Sequence, residues 1–287
     1  MALRMKWHIG QSVPQLGYER VPMRLGAYVD GELALDTQRG VLVWEPRRIV
    51  PMYAVPEGDL LVGVDPTDPP LEPPDLDALP HILSPDSFEP HTTPGEVVDL
   101  VTSTRRLARA GFRPDDRDLA GLVVLDFVAL DRWLAEDEEL LGHPHDPFKR
   151  IDVLTCHRPV EVSLDGNVLA STTNALALLE THLPTRYYIP PDDVASSLLS
   201  PSETRSTCAY KGIASYLSTA DGRPEGRDIG WTYPHPLADA LRARDHVAFW
   251  NERIDLRVDG ELQRRPITPW SPPADQASAN AERLEFG

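Results

Sequence analysis

An Asp-Gly step between alternating apolar residues folds most readily into a tight hairpin, because both central residues of a two-residue turn need positive φ. The chain carries this pattern twice within longer matching segments. "YVDGELALDTQRGVLVWEPRRIVPMYAVP" spans 28–56 and "SLDGNVLASTTNALALLETHLPTRYYIP" spans 163–190. Each reads as a strand, a turn, a second strand and a third extended run ending in tyrosine and proline. Asp30-Gly31 aligns with Asp165-Gly166, Glu45 with Glu180, and Pro56 with Pro190 after a one-residue gap. Self-similarity at this spacing predicts two copies of one β-rich unit.

A weaker echo follows each copy. "FVALDRWLAEDEELLGHPHDPFKR" parallels "HVAFWNERIDLRVDGELQRRPITPW", placing Pro144 and Pro147 on Pro266 and Pro269, and Phe148 on Trp270. The expected organisation is an N-terminal extension (1–14), a first, diverged unit (15–152), a second, more complete unit (153–271) and a polar, disordered tail (272–287). The fold class is mainly β with short inserted helices. Residues 65–92 of the first unit are acidic and rich in proline, which blocks both helix and ladder hydrogen bonds, so they read as a loop. After it, Thr93-Pro94-Gly95-Glu96 resembles a capping box. Val97, Leu100, Val101, Thr104, Leu107 and Ala108 give one helical face, and Gly111 marks its end.

Composition excludes some functions. A formal net charge of -17 opposes a nucleic-acid partner, which needs a basic surface. No run approaches the roughly 18 apolar residues of a membrane span, and the start of the chain lacks a signal peptide's apolar stretch. A cytoplasmic protein is expected. The two cysteines, Cys156 and Cys208, are too few for a disulfide framework or a zinc ribbon, so neither a structural metal nor a cofactor is predicted.

Several motifs resemble the family catalogued as domain of unknown function 427, found in bacteria and fungi. They are "LVWEPRRIVPMYAVP", "HPHDPFKRIDVL", "RPVEVSLDGNVLASTTNALALLE", "LPTRYYIP", "TCAYKGIASYLS" and "GWTYPHPL". The resemblance covers nearly the whole chain as a tandem pair. It implies compact, mainly β domains similar to the two-sheet β-tent architecture of Mss4-like proteins. The paired zinc-binding cysteines of several β-tent relatives do not occur here. A nucleotidyltransferase label also attaches to the family. It would require paired carboxylates for magnesium and a phosphate-cradling glycine loop, and the sequence shows no Gly-Ser followed by Asp-x-Asp.

Residue chemistry points to a polar pocket in the second unit. Glu180 ends an apolar strand, and Arg186 and Tyr188 share one face of the next, so a guanidinium and tyrosine hydroxyls are placed for a polar or anionic ligand. A strand-end salt bridge is the structural alternative. Glu45 and Tyr53 are the corresponding candidates in the first unit. In "STCAYKGIASYL" (206–217), strand alternation puts Cys208 with Tyr210 and Gly212, opposite Lys211. Cys208 is therefore expected to be a buried core thiol. Lys211 and Tyr216 would carry any function, provided a bulge or turn at Gly212 brings Tyr216 round. Trp231 and Tyr233 read as a pocket wall or a core face. His143, Asp146 and Arg150 form either a clamp at the junction or a ligand contact. The functional expectation is a small-molecule enzyme or metabolite-binding protein, with Glu180, Lys211 and Tyr216 as catalytic candidates. The alternative is a non-catalytic module whose acidic loop docks a protein partner.

Overall fold

The computed structural model describes residues 15–271 apart from 81, 85, 86, 182 and 269. The N-terminal extension and the tail from 272 lie outside the described residues. The chain divides into two compact units at Pro147/Phe148, slightly ahead of the expected junction.

The first unit contains β1 (Gly17–Arg20), β2 (Leu25–Val29), β3 (Glu32–Thr37), β4 (Val41–Trp44), β5 (Met52–Pro56), β6 (Gly63–Pro66), β7 (Gly95–Val101), β8 (Arg106–Pro114), β9 (Leu122–Leu125), β10 (Arg132–Ala135) and β11 (Glu138–Leu140). They form one sheet in the order β1-β4-β5-β9-β8-β7-β6 and a smaller one in the order β11-β10-β2-β3. Strand alternation gives the large sheet two apolar faces. Leu42, Tyr53, Val55, Val123 and Leu125 pack with Leu25, Leu35 and Trp133 of the smaller sheet. Val41, Val43, Met52, Ala54 and Val124 pack on the opposite face with Phe112 and Leu119.

The second unit contains β12 (Ile151–Cys156), β13 (Val160–Leu164), β14 (Asn167–Thr172), β15 (Ala175–Glu180), β16 (Arg186–Tyr188), β17 (Leu199–Cys208), β18 (Gly212–Thr219), β19 (Gly230–Thr232), β20 (Val247–Phe249), β21 (Asp255–Val258) and β22 (Glu261–Leu262). Two ladders, β12-β15-β16 and β17-β18-β19-β20, meet where Ile189 and Val247 exchange backbone hydrogen bonds of 2.8 and 2.9 Å. The strands then run β12-β15-β16-β20-β19-β18-β17, opposite a second sheet ordered β22-β21-β13-β14. Position by position, this is the strand order of the first unit.

Both Asp-Gly steps form the turns their chemistry requires. Asp30 and Gly31 have φ of 52° and 81°, and Asp165 and Gly166 have 49° and 81°. The helix expected over 93–111 does not form. Those residues make the β7–β8 hairpin, which turns at Thr102 to Arg105. A bulge between Val98 and Leu100 shifts the strand's phase, so its inward residues fall at spacings that also fit a helical face. Buried Asp99 fills the bulge, accepting from Arg109 N at 2.8 Å, Thr67 Oγ1 at 2.7 Å and Arg106 Nη1 at 2.7 Å. The inserted helices are short 3₁₀ turns, the longest being Ala238–Ala243. Among the described residues, no helix is long and apolar enough to cross a membrane.

Candidate functional site

Strand register creates the polar centre of the second unit. Ile151 of β12 pairs with Glu180 at the end of β15, so Lys149, just upstream, arrives beside the carboxylate. Lys149 Nζ lies 3.1 Å from Glu180 Oε1 and sits over the Tyr210 ring at 5.3 Å. Lys211 Nζ donates to the other oxygen, Glu180 Oε2. Glu180 and Lys211 are only 9% and 8% exposed. Two ammonium groups thus share one nearly buried carboxylate, leaving an excess of one positive charge in a poorly solvated place.

Lys211 comes from a loop and not from a strand face. Cys208 pairs with Gly212, and residues 209–211 close the β17–β18 hairpin. Gly212 has a φ of 95°, and a Cβ there would lie 3.1 Å from the His235 carbonyl. The loop is tied down from outside, since Leu237 N donates to Lys211 O at 3.1 Å. Strand alternation therefore does not apply across 208–212. Cys208 is half-buried, not the fully buried core thiol expected from the sequence. Burial works against the Lys211 ammonium, but the Glu180 carboxylate, through its charge and its hydrogen bond, leads the influences that outweigh it and raise its pKa. Glu180 is likewise opposed by burial and held below the usual carboxylate range by Lys211 and Lys149.

Tyrosines surround this centre. Tyr188 is pushed up to about 12 by burial, and its hydroxyl accepts from Trp231 Nε1 at 3.1 Å. Tyr233 is raised first by burial, and the Glu180 carboxylate adds to the shift. Tyr216 packs on the same apolar cluster as Tyr188, Trp231 and Tyr233, and its hydroxyl lies 2.9 Å from Ser206 Oγ. Arg186 is engaged elsewhere. Its two Nη atoms donate to Glu252 at 2.7 and 2.6 Å, and its guanidinium lies 5.7 and 5.3 Å from the ring centroids of Trp231 and Trp250, which are themselves 4.6 Å apart. Thr268 Oγ1 donates to the same carboxylate at 2.6 Å.

The first unit places Glu45 at the matching strand end but surrounds it differently. Glu45 is 1% exposed and accepts from Thr92 N at 2.9 Å and from Thr93 N and Oγ1 at 3.2 and 2.9 Å. His91 Nδ1 lies 2.8 Å from its Oε2, and Arg48 Nε lies 3.5 Å away. Burial opposes its ionisation, but His91, Arg48 and Thr93 hold it below the usual carboxylate range. Tyr53 does not join this group. It faces the core between the sheets, its ring 5.4 Å from that of Trp133. His143 Nδ1 lies 2.7 Å from the Pro144 carbonyl. His143 and Asp146 belong to the first unit and Arg150 to the second, where it pairs with Asp152 at 3.0 Å. Among the described residues, no group of three or more His, Cys, Asp or Glu side chains could hold a metal ion.

Sequence reasoning left Lys149, Glu252, Trp250 and His91 without a role. The register of β12 on β15 was the signal for Lys149. The others meet their partners through contacts distant in sequence.

A two-sheet β unit with a lysine-clasped glutamate at the end of a central strand is the class that fold and site define. Residues 152–260, within the second unit, match the family described as domain of unknown function (DUF427). No curated protein matches the chain.

Proposed function

We propose that the second unit binds a small anionic metabolite at the Lys149–Glu180–Lys211 cluster. The observation that carries this reading is the charge count of the site: two ammonium groups face one nearly buried carboxylate. A carboxylate or phosphate oxygen entering there supplies the missing negative charge and takes donors from Lys149, Lys211 and the tyrosine hydroxyls. The directions of the pKa shifts favour binding and electrostatic stabilisation over proton shuttling. Glu180 stays ionised, Lys211 stays protonated and Tyr188 and Tyr233 stay neutral near pH 7. If the bound molecule is also transformed, Lys211 stabilises developing negative charge, and Tyr216, which packs on the same apolar cluster as Tyr188, is the candidate hydroxyl. Arg186 and Trp231 frame the site through Glu252 and Trp250.

The reading includes a tandem arrangement of two related units, supported by their common strand order and matching Asp-Gly turns. It takes the protein as cytoplasmic, supported by two cysteines that remain unpaired thiols. Nucleotidyl transfer gains no support from Glu180, whose two oxygens are both occupied by lysines. Native mass spectrometry of freshly purified protein, followed by titration with small carboxylates and phosphates, tests the proposal. A retained anion, or saturable quenching of tryptophan fluorescence by an anion that Lys149→Met weakens, is expected. Absence of both sinks it.

A further inference from the structure

Resting on the anion site proposed above, we infer that its ligand carries a single negative charge. The Lys149–Glu180–Lys211 cluster selects carboxylates over phosphate dianions, and Lys149 is the residue that meets them.

Donors are left over at the cluster. Lys149 Nζ lies 3.1 Å from Glu180 Oε1, and Lys211 Nζ donates to Oε2. Each ammonium has three N–H donors. Among the described residues, neither lysine pairs with a second carboxylate. Enclosed polar groups are nearly always satisfied, so donors left over here point to a further acceptor. A carboxylate has one oxygen for each lysine. Lys149 keeps 17% of its side chain exposed, against 10% for Lys211 and 6% for Glu180. An anion arriving from solvent therefore meets Lys149 first.

Charge decides between anions. The cluster holds two positive charges and one negative. The neighbouring Arg186–Glu252 pair is closed on itself, with both Nη atoms on the carboxylate at 2.7 and 2.6 Å. One added negative charge makes the cluster neutral. A second would leave an excess negative charge beside Glu180, in surroundings that disfavour it. Burial there already opposes the Glu180 carboxylate, pushes Tyr188 up to about 12 and raises Tyr233. An uncompensated charge in a poorly solvated place is strongly disfavoured, and like charges repel more than they do in water. Carboxylates carry one charge at neutral pH. Phosphate monoesters, with a second pKa of about 6, carry close to two.

The test uses the full chain at pH 7.5 and fixed ionic strength, with three methyl-bearing probes: acetate, methanesulfonate and methyl phosphate. The first two carry one charge, and methanesulfonate shares the tetrahedral shape of methyl phosphate. Saturable changes in tryptophan fluorescence are expected to show acetate and methanesulfonate binding about ten-fold or more tightly than methyl phosphate. Lys149→Met should weaken acetate about ten-fold or more. Glu180→Gln adds an uncompensated positive charge and should raise methyl phosphate relative to acetate about ten-fold. Should that variant fail to fold, the wild-type order of the three probes decides. The inference is overturned, with the anion site left standing, if methyl phosphate binds as tightly as acetate. It is overturned in the same way if methanesulfonate is as weak as methyl phosphate while acetate binds, because shape and not charge then sets the choice. Acetate bound equally well by Lys149→Met removes Lys149 from the contact. No binding of any probe at millimolar concentration overturns the inference and the anion site together.

Discussion

Glu180 shows how one residue sets what its neighbours can be. Its carboxylate neutralises half the charge of two ammonium groups, and removing it leaves both lysines without a counter-charge. Glu180→Gln is therefore expected to cost the second unit about 3–5 kcal/mol, the usual loss when one partner of a buried ion pair is removed. Lys211→Met should cost less, because Lys149 still holds the carboxylate at 3.1 Å. Urea denaturation followed by tryptophan fluorescence compares the two. A larger loss for Lys211→Met would show that Lys149 does not compensate. Arg186 gives a second residue-scale test. Lysine cannot reproduce the planar fork that spans both oxygens of Glu252, nor the guanidinium's contact with the Trp231 and Trp250 rings. Arg186→Lys should cost about 1.5–3 kcal/mol, the range for hydrogen bonds to charged groups. A full-strength fold in that variant would assign Arg186 no structural role.

At the scale of elements, the β17–β18 hairpin loop is what delivers Lys211, and Gly212 is its pivot. Gly166 and Gly212 both have positive φ, so an added Cβ strains either by about 1–2 kcal/mol. Only at Gly212 does the new carbon also press on fixed backbone, the His235 carbonyl at 3.1 Å. Gly212→Ala should therefore cost more than Gly166→Ala and also weaken anion binding, while Gly166→Ala leaves binding intact. Equal costs would mean that the His235 segment yields. Element geometry also explains what the sequence could tell. The Asp-Gly hairpins were legible because turn chemistry is local. The β7–β8 hairpin was not, because Asp99 stabilises a bulge through Arg106, Arg109 and Thr67, and the phase slip imitates helical spacing. Glu180 and Lys211 stood out as polar residues in apolar surroundings. Their contact did not, since it depends on a loop whose path alternation cannot describe. Lys149 needed the β12–β15 register, which only the folded sheet supplies.

At the scale of the whole molecule, stability against pH is bounded by the same buried charges. Glu45, Glu180 and Glu252 all titrate below the ordinary carboxylate range, each against the cost of burial. A depressed folded pKa means stability that is complete above the unfolded value of about 4.3 and is lost as pH falls through the folded one. Lys211 is raised, so its contribution is complete below the unfolded value of about 10.4 and is lost as pH rises through the folded one. These groups therefore predict a plateau between about pH 5 and pH 9, with an acid limb set by the three glutamates. The net charge of -17 adds a salt-dependent term. Repulsion among surface carboxylates opposes compaction at neutral pH, and salt screens it over a Debye length of about 8 Å at 0.15 M. The buried clusters are screened far less. Urea midpoints should rise with sodium chloride at pH 7.5. The gain should shrink at pH 5, where partial protonation has already lowered the repulsion. A midpoint that falls with salt at pH 7.5 would mean that the exposed ion pairs, such as Arg24 with Asp36 and Arg105 with Asp131, outweigh the excess of negative charge.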